Sequence, residues 1–114
     1  MHELSVCQAL LKQVLDIAQD YPGHQVETIT LKIGPLSGVE PQLLEQAFPI
    51  ASVGTLAEAA KLIIEQLPVT VRCLQCGAES EVLPNRLLCQ HCGDWRTQLQ
   101  SGDEMLLASI EFIV

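Results

Sequence analysis

Cysteine and histidine are the residues of this 114-residue chain best suited to chemistry, and four of the five cysteines are paired. Cys73 and Cys76 form one CxxC, and Cys89 and Cys92 form another after 12 intervening residues. Two residues between thiolates let one turn aim both sulfurs at a single ion, and a second such turn completes a tetrahedral four-sulfur site. Gly77 and Gly93 follow the two pairs. Without a Cβ, each can take a positive φ and turn backbone N–H groups back toward the sulfurs. The pattern predicts a structural metal site, with Zn2+ as the best-suited ion and iron as the minor alternative. Two redox pairs are the competing reading. A thioredoxin-type CxxC opens a helix after a strand, however, and neither pair does so. Four thiolates leave no open coordination position with which to activate water. His91, inside the second knuckle, reads as an exposed neighbour of the cysteines, and His24, in a turn, as solvated. Cys7 falls on an apolar helical stripe and reads as a small buried hydrophobe.

The second candidate is the start, Met1-His2-Glu3. The α-amino group, the backbone nitrogen of His2 and the His2 imidazole can close adjacent chelate rings on one ion. A deprotonated amide nitrogen favours a square-planar, strong-field metal, which points to Ni2+ or Cu2+ over Zn2+. A histidine also occurs at position 2 by chance, so the residues alone leave this start open between a metal site and an ordinary chain end. There is no glycine-rich phosphate loop, no HExxH and no GxSxG. The chain is therefore expected not to be an enzyme.

Composition narrows the partners. Fourteen acidic and six basic residues give a formal charge of −8, which argues against a phosphate-backbone partner. From Val69 to Gln98, Arg72, Arg86 and Arg96 are matched by Glu79, Glu81 and Asp94, and Trp95 is the sole aromatic for base stacking. No nucleic-acid partner is expected. No run of about 18 apolar residues is present, so no membrane span is expected. The first 20 residues lack a basic n-region, so a reducing, cytoplasmic setting is expected, in which the cysteines are metal ligands or free thiols and not disulfides.

The elements that must position these residues follow from periodicity. Apolar residues at Cys7, Leu10, Leu11, Val14, Ile17, Ala18 and Tyr21 predict an amphipathic helix, opened by a Ser5/Gln8 capping box and closed by Pro22-Gly23. Alternation at Ile29, Leu31 and Ile33 predicts a half-buried strand. PQLLEQAF predicts a second helix with Pro41 at its first position and an apolar face of Leu43, Leu44, Ala47 and Phe48. Pro49 should kink or end it, and Thr55 with Glu58 should cap a short turn. KLIIEQLPVTVRC reads as a second strand interrupted at Pro68. EMLLASIEFIV reads as a third, with Leu106, Ala108, Ile110 and Phe112 on one face. The expected fold class is α+β: two helices packed on a three-stranded sheet, with an inserted zinc-ribbon module. Residues 1–68 and 103–114 would form one domain and 69–102 the ribbon. Since the chain is 48% hydrophobic but only 4% aromatic, its core must be aliphatic.

Taken together, MHELSVCQALL, LKIGPLSGVEPQLLEQAF, the paired cysteines and SGDEMLLASIEFIV resemble the HypA/HybF family of nickel metallochaperones for [NiFe] hydrogenase maturation. The resemblance covers nearly the whole chain in order. It implies a nickel-binding domain joined to a zinc ribbon, with nickel held at the N-terminus through Met1 and His2, Glu3 adjacent, and Glu40 nearby. It implies Ni2+ as transferred cargo and Zn2+ as structural ion. It also implies delivery to the hydrogenase large subunit alongside a HypB-like GTPase. The chain itself would be a monomer or weak homodimer. Some family members carry histidines directly after the CxxC pairs, where this chain has Gly77 and Gly93. The competing class is a zinc-ribbon interaction module with no nickel function. A third class, a thiol oxidoreductase, would require free thiols.

Overall fold

The computed structural model describes the backbone of residues 2–113 and the side chains of residues 3–113. Elements follow in the order α1 (His2–Ala18), β1 (Val26–Ile33), α2 (Pro41–Ala51), β2 (Lys61–Gln66), β3 (Val69–Cys73), β4 (Glu79–Val82), β5 (Thr97–Ser101) and β6 (Met105–Phe112). The strands form two three-stranded sheets, ordered β2-β1-β6 and β4-β3-β5. The chain divides into two compact units, Met1–Leu31 with Val39–Glu65 and Leu106–Val114, and Lys32–Gly38 with Gln66–Met105. This is the expected α+β class with two helices and a ribbon.

The first unit is built on aliphatic stripes. Cys7, Leu10, Leu11, Val14 and Ala18 of α1, Val26, Ile29 and Leu31 of β1, and Leu44 and Phe48 of α2 are all buried. The two helices pack together, and the Cys7 thiol lies 3.6 Å from the Leu44 carbonyl oxygen. The Gly34 N–H donates to Glu104 O and the Ile113 N–H to Gln25 O, so β1 and β6 run antiparallel. Val26 N–H donates to Leu56 O at one end of β1, and Leu67 N–H donates to Ile33 O at the other. Strands β1 and β2 are therefore parallel, with α2 in the crossover, as a parallel pair requires.

Several local expectations are corrected. Helix α1 begins at His2, not at Ser5, so Ser5 and Gln8 lie within the helix and form no capping box at its start. Glu3 occupies the first turn, where the helix dipole favours a carboxylate, and half-buried Leu4 shares a small cavity of about 220 Å³ with Leu43, Ala47 and Ile50 of α2. Both effects reward a longer helix. At the other end, α1 stops at Ala18, and Asp20 and Tyr21 donate to Ile17 O and Ala18 O in tightened turns. Ile17 and Tyr21 are exposed, although the Tyr21 ring still lies 4.7 Å from that of Phe112. Helix α2 continues through Pro49 to Ala51: the proline lacks one N–H donor, but the ladder resumes after it, with the Ser52 N–H donating to Phe48 O. Leu43 lies on the exposed side of α2. Thr55 clips the following turns: its hydroxyl donates to Ser52 O at 2.7 Å and accepts the Ala57 N–H at 3.1 Å.

KLIIEQLPVTVRC is not one strand. Leu67-Pro68 separates β2 from β3, which belong to different sheets. The proline cannot donate to a ladder, so it marks where pairing changes partner. Along β6 the alternation slips at Ala108-Ser109, two consecutive exposed residues. The half-buried positions are Met105, Leu107, Ile110 and Phe112, while Leu106 and Ala108 are exposed. A one-residue slip reverses every later side chain, so a strict period of two mis-assigns half the strand.

In the second unit β3 is the central strand, antiparallel to both neighbours, with Val69 opposite Val82 and Cys73 opposite Thr97. Val69, Val71 and Val82 form a small core covered by Leu87 and Leu99. The loop at Gly34 packs against the Gly102 turn. The Leu36 N–H donates to Gly102 O at 2.7 Å, and a Cβ at Gly34 would collide with that same oxygen.

Candidate metal centres

The four paired cysteines converge as their spacing predicts. Cys73 ends the central strand β3, where its N–H donates to Ala78 O, and Cys76 completes the turn. Cys89 opens the equivalent turn between β4 and β5, where its N–H donates to Asp94 O. The two turns share one construction. Gln75 and Cys76 direct N–H groups at Cys73 Sγ, both at 3.3 Å, and His91 and Cys92 direct theirs at Cys89 Sγ, both at 3.4 Å. Gly77 and Gly93, at φ 77° and 76°, donate back to Cys73 O and Cys89 O. An L side chain is strained at such φ, so glycine is the residue that lets each turn close.

Across the site Cys73 Sγ lies 3.5 Å from Cys92 Sγ, and Cys76 Sγ lies 3.6 Å from Cys89 Sγ. All four sulfurs lie within 4.8 Å of one another. A zinc–sulfur distance of about 2.3 Å places the sulfurs of a tetrahedral site roughly 3.8 Å apart, so this quartet fits Zn2+. The electrostatics fit as well. The N–H of Cys92, aided by that of His91, draws the Cys89 thiol down to about 6. The N–H of Cys76, aided by that of Gln75, lowers Cys73 likewise. The Asp94 N–H draws on Cys92 too, but the facing Cys73 sulfur and desolvation together push it up to about 12. Four sulfurs this close cannot all ionise unaided. A divalent cation among them removes that conflict and holds four thiolates. Such an ion would serve as a structural crosslink, with all four protein ligands used.

Sequence reading missed the residues around this quartet. Asp94 accepts from Arg96 at three points: the backbone N–H at 2.8 Å, Nε at 3.0 Å and Nη2 at 2.8 Å. Arg96 in turn holds the Asp94 carboxyl down at about 2. A sign was available: an aspartate directly after a CxxCG turn can accept backbone N–H groups two residues on. The ring of His91 is exposed, and its part in the quartet is a backbone one. Cys7 is fully buried, and desolvation raises its pKa, as expected of a small core residue. His24 is exposed, as expected, and its Nδ1 also pairs with Ile113 O at 3.0 Å, which ties the turn before β1 to the end of β6.

Of the residues named for nickel, Met1 lies outside the described residues, as does the side chain of His2. The His2 backbone begins α1, and the first four N–H groups of a helix have no intrahelical partner, so this nitrogen is not committed to the ladder. Glu3 and Glu40 are brought together across 37 residues of sequence: Glu3 Oε2 accepts the Glu40 N–H at 3.4 Å. Glu40 is the N-cap residue of α2, with φ −89° and ψ 113°, and its own side chain makes no cap bond. The starts of both helices therefore meet, with the Glu3 carboxylate on the Glu40 backbone.

The sequence matches the family described as "Hydrogenase/urease nickel incorporation, metallochaperone, hypA" over residues 1–112. It is 50% identical over 113 residues to the hydrogenase maturation factor HypA of Nitrosospira multiformis, covering 99% of this chain and 98% of that protein. It is 44% identical over 114 residues to HypA of Aquifex aeolicus, covering 100% and 99%. The fold matches the solution structure of the Ni metallochaperone HypA from Helicobacter pylori with a TM-score of 0.71 at 25% identity, covering 97% of each chain. Sequence, fold and cysteine geometry agree, and the chain belongs to the HypA family of hydrogenase/urease nickel-incorporation metallochaperones.

Proposed function

We propose that this nickel metallochaperone holds its cargo Ni2+ at the chain start, through the Met1 α-amino group, the backbone nitrogen and imidazole of His2, and carboxylates from Glu3 and Glu40. The observation that supports this reading is the 3.4 Å approach of Glu3 to the Glu40 N–H, which gathers acidic charge one residue from His2. Helix starts carry partial positive charge and disfavour a cation, and the two carboxylates offset it. The ion is carried, not used for catalysis. Few ligands at a chain end permit stepwise exchange onto a receiving site, which a closed four-thiolate cage does not. Delivery is to the [NiFe] hydrogenase large subunit in the cytoplasm, with a HypB-like GTPase supplying the nucleotide chemistry for which this sequence has no motif. Residues 1–68 with 103–114 carry the cargo, and the ribbon at 69–102 serves as a rigid docking or structural module.

Calorimetric titration of Ni2+ into tag-free protein with a native start tests the site. One-to-one binding is expected. It should weaken as pH falls through the ordinary imidazole and amine pKa values, near about 6.5 and about 8, because protons compete for the same lone pairs. Glu3→Gln and Glu40→Gln should each weaken binding less than a change at His2, because neither closes the first chelate rings. Zinc-loaded protein that takes up no nickel would instead support an interaction module without cargo.

A further inference from the structure

The two cysteine knuckles are separate turns, and besides the quartet itself the Arg96 side chain joins them. Arg96 Nη2 donates to Gln75 Oε1, inside the first knuckle, at 3.0 Å. The same nitrogen donates to Asp94 Oδ2 at 2.8 Å, and Nε donates to Asp94 Oδ1 at 3.0 Å. Asp94 is itself tied to the second knuckle, because its carbonyl oxygen accepts the Cys89 N–H at 3.0 Å. The main chain repeats the link: Arg96 O accepts the Leu74 N–H, in the first knuckle, at 2.8 Å. Gln75 is also one of the two residues whose N–H bonds Cys73 Sγ. A planar guanidinium is suited to this task, since it offers several donors in fixed directions.

We propose that Arg96 is a positioning residue for the cysteine site, a clasp that holds the knuckles closed over zinc and so sets how slowly the ion leaves. The route for zinc loss begins with one knuckle swinging away from the other, and the clasp opposes that swing. Charge alone does not account for the arrangement. Asp94 pairs with the guanidinium at 2.8 Å and offsets part of its charge, although the Cys73 and Cys92 sulfurs also act on it. Geometry adds what charge does not: a fork that reaches Gln75 and Asp94 together. Losing a partner around metal ligands commonly weakens a site by about ten- to a hundredfold. Arg96 is 51% exposed, which places its effect at the lower end.

The test uses the full-length zinc-loaded chain and measures zinc transfer to a chromogenic chelator in excess. Arg96→Gln should release zinc about tenfold faster than the parent. Arg96→Lys keeps the charge but not the fork, and should release it nearly as fast. Gln75→Leu, at an exposed position with little bearing on folding, should also accelerate release, and combining it with Arg96→Gln should add little. Cobalt-substituted protein gives a second readout. Its thiolate charge-transfer and ligand-field bands should match the parent in each single variant, since the four sulfurs stay in place. Parent-like release from Arg96→Gln would overturn the clasp. So would full rescue by Arg96→Lys, which would assign the effect to charge, or altered cobalt bands in every variant, which would mean that these side chains shape the quartet itself.

Discussion

The cysteine ribbon and the helical unit assemble their candidate metal ligands in opposite ways. In the ribbon, backbone geometry places four sulfurs within 4.8 Å before any ion is considered, and N–H groups already point at two of them. At the start of α1, by contrast, the chain brings together helix ends and two acidic residues, with a 3.4 Å hydrogen bond from the Glu40 N–H to Glu3. The first arrangement would hold an ion with every ligand fixed and saturated. The second, as proposed, would keep its ligands few and near a chain end. The difference separates retention from transfer: a preassembled closed shell resists exchange, whereas an open partial shell permits it.

That contrast is broken most severely by Cys76→Ser. Structural zinc contributes on the order of 10 kcal/mol or more to such modules, so the variant should lose its zinc and unfold the ribbon. The helical unit has its own buried residues, including Leu10, Val14, Ile29 and Phe48, and should keep its helices. Metal analysis with amide NMR spectra checks both halves. An ordered, metal-free ribbon would remove the structural role assigned to the ion.

His2→Ala, or a leader peptide that turns the α-amino group into an amide, attacks the other side. Either change should abolish stoichiometric nickel binding while zinc content stays at one per chain. Calorimetry and metal analysis on the same samples read both. Unchanged nickel binding in either case would place the cargo elsewhere.

Phe48→Ala asks whether the two regions are independent. This ring is 3% exposed on α2, and its truncation should destabilise the helical unit by about 3–5 kcal/mol. Denaturant unfolding followed by far-ultraviolet circular dichroism measures that loss. Zinc stoichiometry should not change, and a parallel fall in zinc would show the regions to be coupled.

The smallest effect is expected at Glu104, whose carboxylate accepts the Gly102 N–H at 2.7 Å. That bond, followed by the backbone N–H groups of Glu104 and Asp103, holds its pKa below the ordinary value. A pKa lowered by folding stabilises above the unfolded value, and the gain is lost as pH falls through the folded one. Glu104→Gln should therefore lower the melting temperature by a few degrees at most at neutral pH, and the gap should close on acidification. Thermal melts across pH read this directly.

Much of this was legible in the residues. CxxC spacing followed by glycine specifies a turn by local geometry alone, so the quartet Cys73, Cys76, Cys89 and Cys92 could be named without a fold. The stripe from Cys7 to Ala18 and the alternation from Ile29 to Ile33 are likewise local, since burial on one face imposes the period. Failures came where competing local signals were decided by distant contacts. Ser5/Gln8 is a sound capping pattern, yet Leu4 beside α2 and Glu3 beside Glu40 draw the helix start back to His2. In β6 the slip at Ala108-Ser109 leaves no mark in hydropathy, because alanine is tolerated on either face.

By itself, then, the sequence determined the quartet, the two helices, the acid-rich balance and the order of motifs that marks the family, all of which rest on spacing or composition. Tertiary structure alone decided that Glu3 meets Glu40, that Pro68 divides two sheets, and that Arg96 reaches both knuckles. Each of these joins residues far apart in the chain or assigns a strand to one sheet over another. Such pairings depend on how the elements fold back on one another, and no local period encodes them.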